Sequence, residues 1–308
     1  MNLGQGEPIV HVQDFQMSFG STKVIENVSF DVYQGETFGF LGSNGSGKTT
    51  TIRSLLGIYQ ASSGTLHIGG APFAPDRNIS LGYLPEERGL YKKEATLDVM
   101  VYFGRLKGLS KINAVNWSMN FLERVGIASK AKVRLDKLSS GEQQKVQLGI
   151  TIMNDPLLLI LDEPTKGFDP VNRRLLMDII EEQRIAGTTV LMVTHQMEEV
   201  ERLCDRVLLL KNGKARAYGT VSQVQDEFGS SSIVIELSGE IPPSDSYRVL
   251  GSNPNVAQIS ANAGHSPESI LKELVQRGVQ VKSFTEKKTS LDEIFIQIYG
   301  DEPVSGVR

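Results

Sequence analysis

Apolar and polar positions alternate in "IVHVQDF" (9–15) and "VSFDVY" (28–33), which predicts two strands with one buried face each. "ETFGFLG" (36–42) abandons the alternation and predicts a strand covered on both faces that runs into a glycine-rich turn. Thr50 to Ile58 then predicts a helix. After a β-rich stretch through "GTLHIGG" and "LGYLP", the period changes near Thr96, where Leu97, Met100, Val101 and Gly104 recur at helical spacing. That opens a helical insert reaching about Gly126, and a second helix follows Leu138. "LLLILDEP", "TTVLMVTH" and "DRVLLL" read as buried strands separated by helices at about 171–186 and 196–203. Such alternation implies an α/β fold with a largely parallel sheet. The Asn-Gly pair of "KNGK" (211–214) marks a tight hairpin.

The pattern breaks at "FGSSS" (228–232), and a polar, proline-containing stretch, "SGEIPPSDS", follows. A domain boundary is expected there, giving a first domain over 1–228, with a helical insert at about 94–153, and a second over 229–308. The second part holds the strands "IVIEL" and "VQVKSF", the helix "PESILKELVQRG" and the amphipathic "SLDEIFIQIYG", enough for a small α+β domain. A length of 308 residues fits two domains. The net charge of -4 and the lack of like-charge runs give no electrostatic reason for a nucleic-acid partner, and none is expected. A single cysteine, Cys204, cannot make an internal disulfide, and "MNLGQGEPIV" has neither a basic nor an apolar leader region, so a cytoplasmic setting is expected. Apolar runs such as "PLLLIL" (156–161) fall far short of the roughly 18 residues of a membrane span.

The candidate chemistry begins at the turn after the third strand. Gly42-x-x-x-x-Gly47-Lys48-Thr49 matches the phosphate-loop pattern and stands between a buried strand and a helix, where that pattern works. Small residues (Gly42, Ser43, Asn44, Gly45, Ser46, Gly47) let backbone N–H groups close on an anion, helped by the positive end of the helix entered at Lys48, Thr49 and Thr50. Lys48 reaches the β and γ oxygens of a nucleotide, and the Thr49 hydroxyl suits Mg²⁺. The run "LLIL" ends in two adjacent carboxylates. Asp162 is placed to hold Mg²⁺, and Glu163 to polarise an attacking water.

A third element, "LSSGEQQ" (138–144), completes a set of motifs whose order resembles the nucleotide-binding subunit of an ABC transporter. The resemblance covers roughly residues 8–228. It implies a P-loop NTPase core with an antiparallel N-terminal part, ATP and Mg²⁺ as ligands, and ATP hydrolysis with Lys48, Glu163 and His195 as catalytic residues. It further implies an ATP-dependent head-to-tail homodimer in which Ser139, Ser140, Gly141 and Glu142 serve the nucleotide of the opposite subunit. Ser139-x-x-Glu142 is also, by itself, a capping box for the helix it opens. By the same resemblance Phe19 stacks on adenine, Asp169 forms the loop that touches the partner subunit, and His195 meets the γ-phosphate. Glu86 stands where the family usually has a metal-ligating glutamine; it joins Thr49 and Asp162 as an expected ligand and adds negative charge facing ATP. Glu142 in place of glutamine is open to two outcomes, repulsion from phosphate or a return to the cap.

The C-terminal segment and "YLPEERGLY" resemble ATPase subunits of bacterial ABC-2-type exporters. That implies export through a separate ABC-2-type membrane permease, with the chain peripheral on the cytoplasmic face. Its docking surface is expected near Glu86 to Tyr91, where Leu90 and Tyr91 flank charges. A ribosome- or nucleic-acid-directed ATPase is disfavoured by the single core, and a kinase or GTPase would have no use for "LSSGEQQ".

Overall fold

The two alternating segments at the N-terminus pair antiparallel as β1 (Pro8–Phe19) and β2 (Thr22–Tyr33) in the computed structural model, which describes residues 6–74, 79–87, 89, 91–228, 232–287 and 289–300. The buried strand β3 (Thr37–Leu41) leads through the glycine loop to α1 (Lys48–Leu55), and β4 (Ser63–Ile68) returns to the other side of β1, completing a three-stranded antiparallel sheet. β5 (Leu81–Leu84) follows, and then α2 (Thr96–Leu106), α3 (Lys111–Arg124) and α4 (Ser140–Ile152) fill the expected helical insert. α2 and α3 are separate helices because Gly108, with φ 91, turns the chain and Ser110 caps a new start on the Asn113 N–H.

The remaining strands alternate with helices: β6 (Leu158–Asp162), α5 (Pro170–Ile185), β7 (Thr189–Thr194), α6 (Met197–Leu203), β8 (Arg206–Lys211) and β9 (Lys214–Thr220). They build a six-stranded sheet in the order β5-β6-β7-β3-β8-β9, parallel from β5 to β8. The unbroken apolar runs now have a reason, because both faces are covered. Leu158 and Ile160 pack with Phe38, Phe40, Leu191 and Val193 beneath the first sheet and α1, while Leu159 and Leu161 pack with Val190 and Met192 against α4 and α5. Each such side chain stabilises the fold by about 1.5–3 kcal/mol through burial.

The second compact unit starts at Gly219. This corrects the boundary expected after residue 228: α7 (Val221–Phe228), in the stretch assigned to the first domain, packs on α9 (Leu291–Tyr299) of the second unit. Between these helices lie β10 (Ser232–Ser238), β11 (Tyr247–Asn253), β12 (Val256–Ala261), α8 (Pro267–Gln276) and β13 (Gln280–Lys287). The four strands form an antiparallel sheet ordered β11-β12-β10-β13. Ile233, Ile235, Leu237 and Ile259 from the sheet meet Ile270 and Leu274 from α8 in its core. Among the described residues no helix is long and apolar enough to cross a membrane.

Candidate functional site

The edge of the parallel sheet where β3, β6 and β7 end carries a cavity of about 660 Å³. Its walls are Val24, Asn44, Gly45, Gly47, Lys48, Thr49, Thr50, Glu86, Asp162, Glu163, Lys166 and His195. The crossing point of strand order in an open α/β sheet is where such a crevice forms. Three residues of the loop are glycine for separate reasons. A Cβ at Gly42 would stand 2.5 Å from the Leu210 carbonyl oxygen, and one at Gly47, where φ is 108, would strike Ile25 Cδ1 at 2.3 Å. At Gly45 the φ of 79 is the constraint, because the space around it is open.

The loop is braced from behind by the hairpin turn between β8 and β9. Asn212 and Gly213 both have positive φ, 50 and 72, as a two-residue hairpin turn demands. The Gly213 N–H donates to the Ser46 carbonyl at 3.2 Å, and its own carbonyl accepts from the Glu26 N–H at 2.8 Å. α1 begins with no side-chain cap and no acidic residue in its first turn. Its first N–H groups and the positive end of its dipole are therefore available to an anion. Lys48, only 8% exposed, folds over the loop and donates to the Gly42 carbonyl at 2.7 Å and the Ser43 carbonyl at 3.0 Å, which leaves one N–H for a ligand. Burial pulls the Lys48 ammonium below its ordinary pKa, opposed by the charges of Glu163, Asp162 and Glu86.

Asp162 is 2% exposed at the tip of β6. Burial, reinforced by Glu86 and Glu163, pushes its carboxyl up to about 6. It accepts a long hydrogen bond, 3.4 Å, from the Thr49 hydroxyl. Among the described residues no cluster of three or more His, Cys, Asp or Glu is arranged to hold a metal. Thr49 and Asp162 nevertheless supply two oxygens at one place, which fits Mg²⁺, an ion that keeps water and takes the rest of its shell from phosphate. Glu86, on the same wall, has one carboxylate oxygen in an ion pair with Lys166 at 2.5 Å.

Glu163 carries a φ of 52, an uncommon backbone for a residue with a Cβ, at a cost of order 1–3 kcal/mol. Its N–H is held by the Val193 carbonyl at 2.8 Å, and its Oε1 faces His195 Nδ1 at 2.8 Å. With a proton on Nδ1, the Nε2 of His195 accepts from the Gln196 side-chain amide at 3.2 Å. His195 thus contacts Glu163 directly, and a phosphate oxygen at Nε2 would require that nitrogen to release Gln196 and carry a proton.

Other expected residues lie outside this cavity wall. Gly42, Ser43 and Ser46 form the back of the loop, with the Ser46 N–H on the Ser43 carbonyl at 3.2 Å. Phe19, at the end of β1, is 47% exposed and meets Tyr59 edge-on with centroids 5.4 Å apart. Asp169 caps α5, accepting from the N–H groups of Val171 and Asn172 at 3.0 Å each. Ser139, Ser140, Gly141 and Glu142 open α4 away from the cavity wall of their own chain. There the two outcomes left open for Glu142 are decided in this conformation: its carboxylate accepts from the Ser139 N–H at 2.8 Å, and Ser139 Oγ accepts from the Glu142 N–H at 3.2 Å. The backbone hydrogen bond holds the Glu142 carboxyl below the ordinary range. Tyr91 is 55% exposed and stacks edge-on with Tyr102; Leu90, named with it as a docking residue, lies outside the described residues.

Three residues were missed from the sequence. Lys166 joins Glu86 across the cavity mouth, and the Gln144 side-chain amide donates to the Pro164 carbonyl at 2.7 Å, fixing the turn after Glu163. Glu199, on α6, bonds to Thr165 and Thr194. Proximity to "DEP" was a signal for Lys166, but nothing local foretells its partner.

The sequence model of the ABC transporter family matches residues 25–166, and that of the ATP-binding protein DrrA1-3-like C-terminal domain matches residues 219–299. An uncharacterized ABC transporter ATP-binding protein, YhaQ of Bacillus subtilis, is 35% identical over 291 residues, 92% of this chain and 96% of its own. A Nod factor export ATP-binding protein of Paraburkholderia xenovorans is 35% identical over 77% of this chain and 78% of its own. Among solved structures, one described as an ATP binding subunit of an ABC transporter superposes with a TM-score of 0.66 at 28% identity, covering 71% of this chain and 93% of its own. The chain is therefore an ATP-binding subunit of the ABC transporter family, an ATPase whose hydrolysis is coupled to transport.

Proposed function

We propose that the chain energises export through a separate ABC-2-type membrane permease, on the cytoplasmic face of the membrane, as an ATP-dependent head-to-tail homodimer. The observation that carries the export reading is the match of residues 219–299 to the DrrA1-3-like C-terminal domain, supported by similarity to a protein whose name states Nod factor export. The dimer reading is supported by the separation of Ser139–Glu142 from the cavity of the same chain, which leaves the outer side of a bound nucleotide to a second copy.

In this reading the adenine lies on the exposed ring of Phe19, and the phosphates lie on the loop from Gly42 to Thr50. Thr49 and Asp162 hold Mg²⁺, which would neutralise phosphate oxygens. Lys48 directs its remaining N–H to the β and γ oxygens. Glu163 takes the proton of the attacking water through the oxygen not engaged by His195, and the 2.8 Å contact to Nδ1 keeps that carboxylate turned into the cavity. Asp169 and the start of α4 face the partner subunit.

The deciding experiment compares the wild type with Glu163→Gln. Hydrolysis should fall at least 100-fold while saturating ATP and Mg²⁺ convert the variant from monomer to dimer by light scattering. A variant that hydrolyses normally, or stays monomeric, overturns the mechanism. Co-expression with the candidate permease tests the partner: co-purification that Tyr91→Glu abolishes supports docking near that residue, and unchanged co-purification removes it.

A further inference from the structure

Behind Glu163 and His195 stands a second carboxylate that no motif includes. Glu199 is 4% exposed on α6. Its Oε1 accepts from the Thr165 hydroxyl at 2.5 Å, and its Oε2 from the Thr194 hydroxyl at 3.3 Å. The Thr194 oxygen in turn receives the Gln196 N–H at 3.0 Å. Arg173 Nε, from the first turn of α5, lies 3.9 Å from Glu199 Oε1 and has no hydrogen-bond partner in its buried position.

The positions of the two threonines give this cluster its meaning. Thr165 lies just beyond Glu163 and Pro164, and Thr194 is the residue before His195. One carboxylate thereby ties together, from the side away from the cavity, the two segments whose side chains meet at 2.8 Å in front. Glu163 needs such a tie because its positive φ is not self-sustaining. A carboxylate this buried is costly unless its partners satisfy it, and burial raises its pKa even here.

We propose that Glu199 is a positioning residue for hydrolysis: it fixes the turn after Glu163 to the stem of His195 so that the pair keeps one geometry as nucleotide enters and leaves. The inference rests on Glu163 and His195 acting as assigned above. Misplacing a reacting group by about 1 Å costs on the order of 100-fold in rate, so the effect belongs in kcat and not in ATP affinity.

The test uses the full chain. Glu199→Ala should lower kcat 10- to 100-fold with the Kd of a fluorescent ATP analogue changed less than threefold. Glu199→Gln, which still accepts from one threonine, should recover kcat to within about fivefold of wild type. An unchanged kcat in Glu199→Ala overturns the proposal, as does equal impairment of the two variants, or a rate loss accounted for by the unfolded fraction in a thermal melt. If Glu199→Ala does not fold, Thr165→Val decides, with a several-fold fall in kcat expected at unchanged Kd and a normal kcat overturning the idea. Glu163→Gln runs alongside: if it hydrolyses ATP normally, the underlying site assignment has failed, whereas its inactivity beside a fully active Glu199→Ala sinks only the role of Glu199.

Discussion

α1 and α4 each begin where a stretch rich in serine and glycine enters a helix, yet they leave opposite things behind. The start of α1 has no cap, no acid in its first turn, and a lysine folded over the loop above it. The start of α4 is partly closed by its own chain, Ser139 and Glu142 satisfying each other's N–H groups. An anion finds an uncapped helix start at the first site, whereas at the second the Ser139 and Glu142 N–H groups are already bonded and only those of Ser140 and Gly141 are left to it. The two helix starts therefore differ in what their own chain leaves open, and the proposed division of labour between them rests on that difference.

The largest effect should come from the first helix end. Lys48→Ala should weaken ATP binding at least 100-fold and reduce hydrolysis to background, with the fold retained, since the lysine donates to two loop carbonyls only. Equilibrium binding of a fluorescent analogue checks it; affinity within threefold of wild type would erase the difference between the two helix ends. Ser139→Ala should leave binding by the monomer within twofold, lower turnover at least tenfold, and reduce stability to chemical denaturation by about 1 kcal/mol through loss of the cap. Weakening of monomer binding as severe as that of Lys48→Ala would refute the division of labour. The smallest effect concerns the rim of the cavity. Lys166→Ala leaves Glu86 uncompensated beside ATP and should raise the ATP Kd three- to tenfold at low salt, less at high salt. Adding Glu86→Gln should restore affinity, and a double variant no better than the single one would show that the pair does not act on the nucleotide.

The strands of the parallel sheet were legible because burial on both faces leaves an apolar run that needs no phase, as in "LLIL" of β6. The phosphate loop was legible because its glycines answer to local geometry at Gly42 and Gly47. β11 was not, because only Tyr247 of its seven residues is buried, so the strand lies at a sheet edge without alternation. α7 was absorbed into the first domain because it buries a single side chain, Val224. In the site, Glu163 and His195 stood out through their places after apolar strands. Lys166 and Glu199 did not, since their partners Glu86 and Thr165 come from segments that only the folded sheet brings together, and the nearby Thr194 alone marks nothing.

An Asn-Gly hairpin tip is ordinarily the first place to graft an epitope, a fluorophore or a circular-permutation break, because such turns tolerate insertion. Here that choice would be a poor one. The tip at Gly213 is clasped by Ser46 on one side and Glu26 on the other, and a methyl group on it would stand 2.3 Å from the Val24 carbonyl oxygen. A label at this position would report on the nucleotide site by distorting it, so reporters belong on other surface loops.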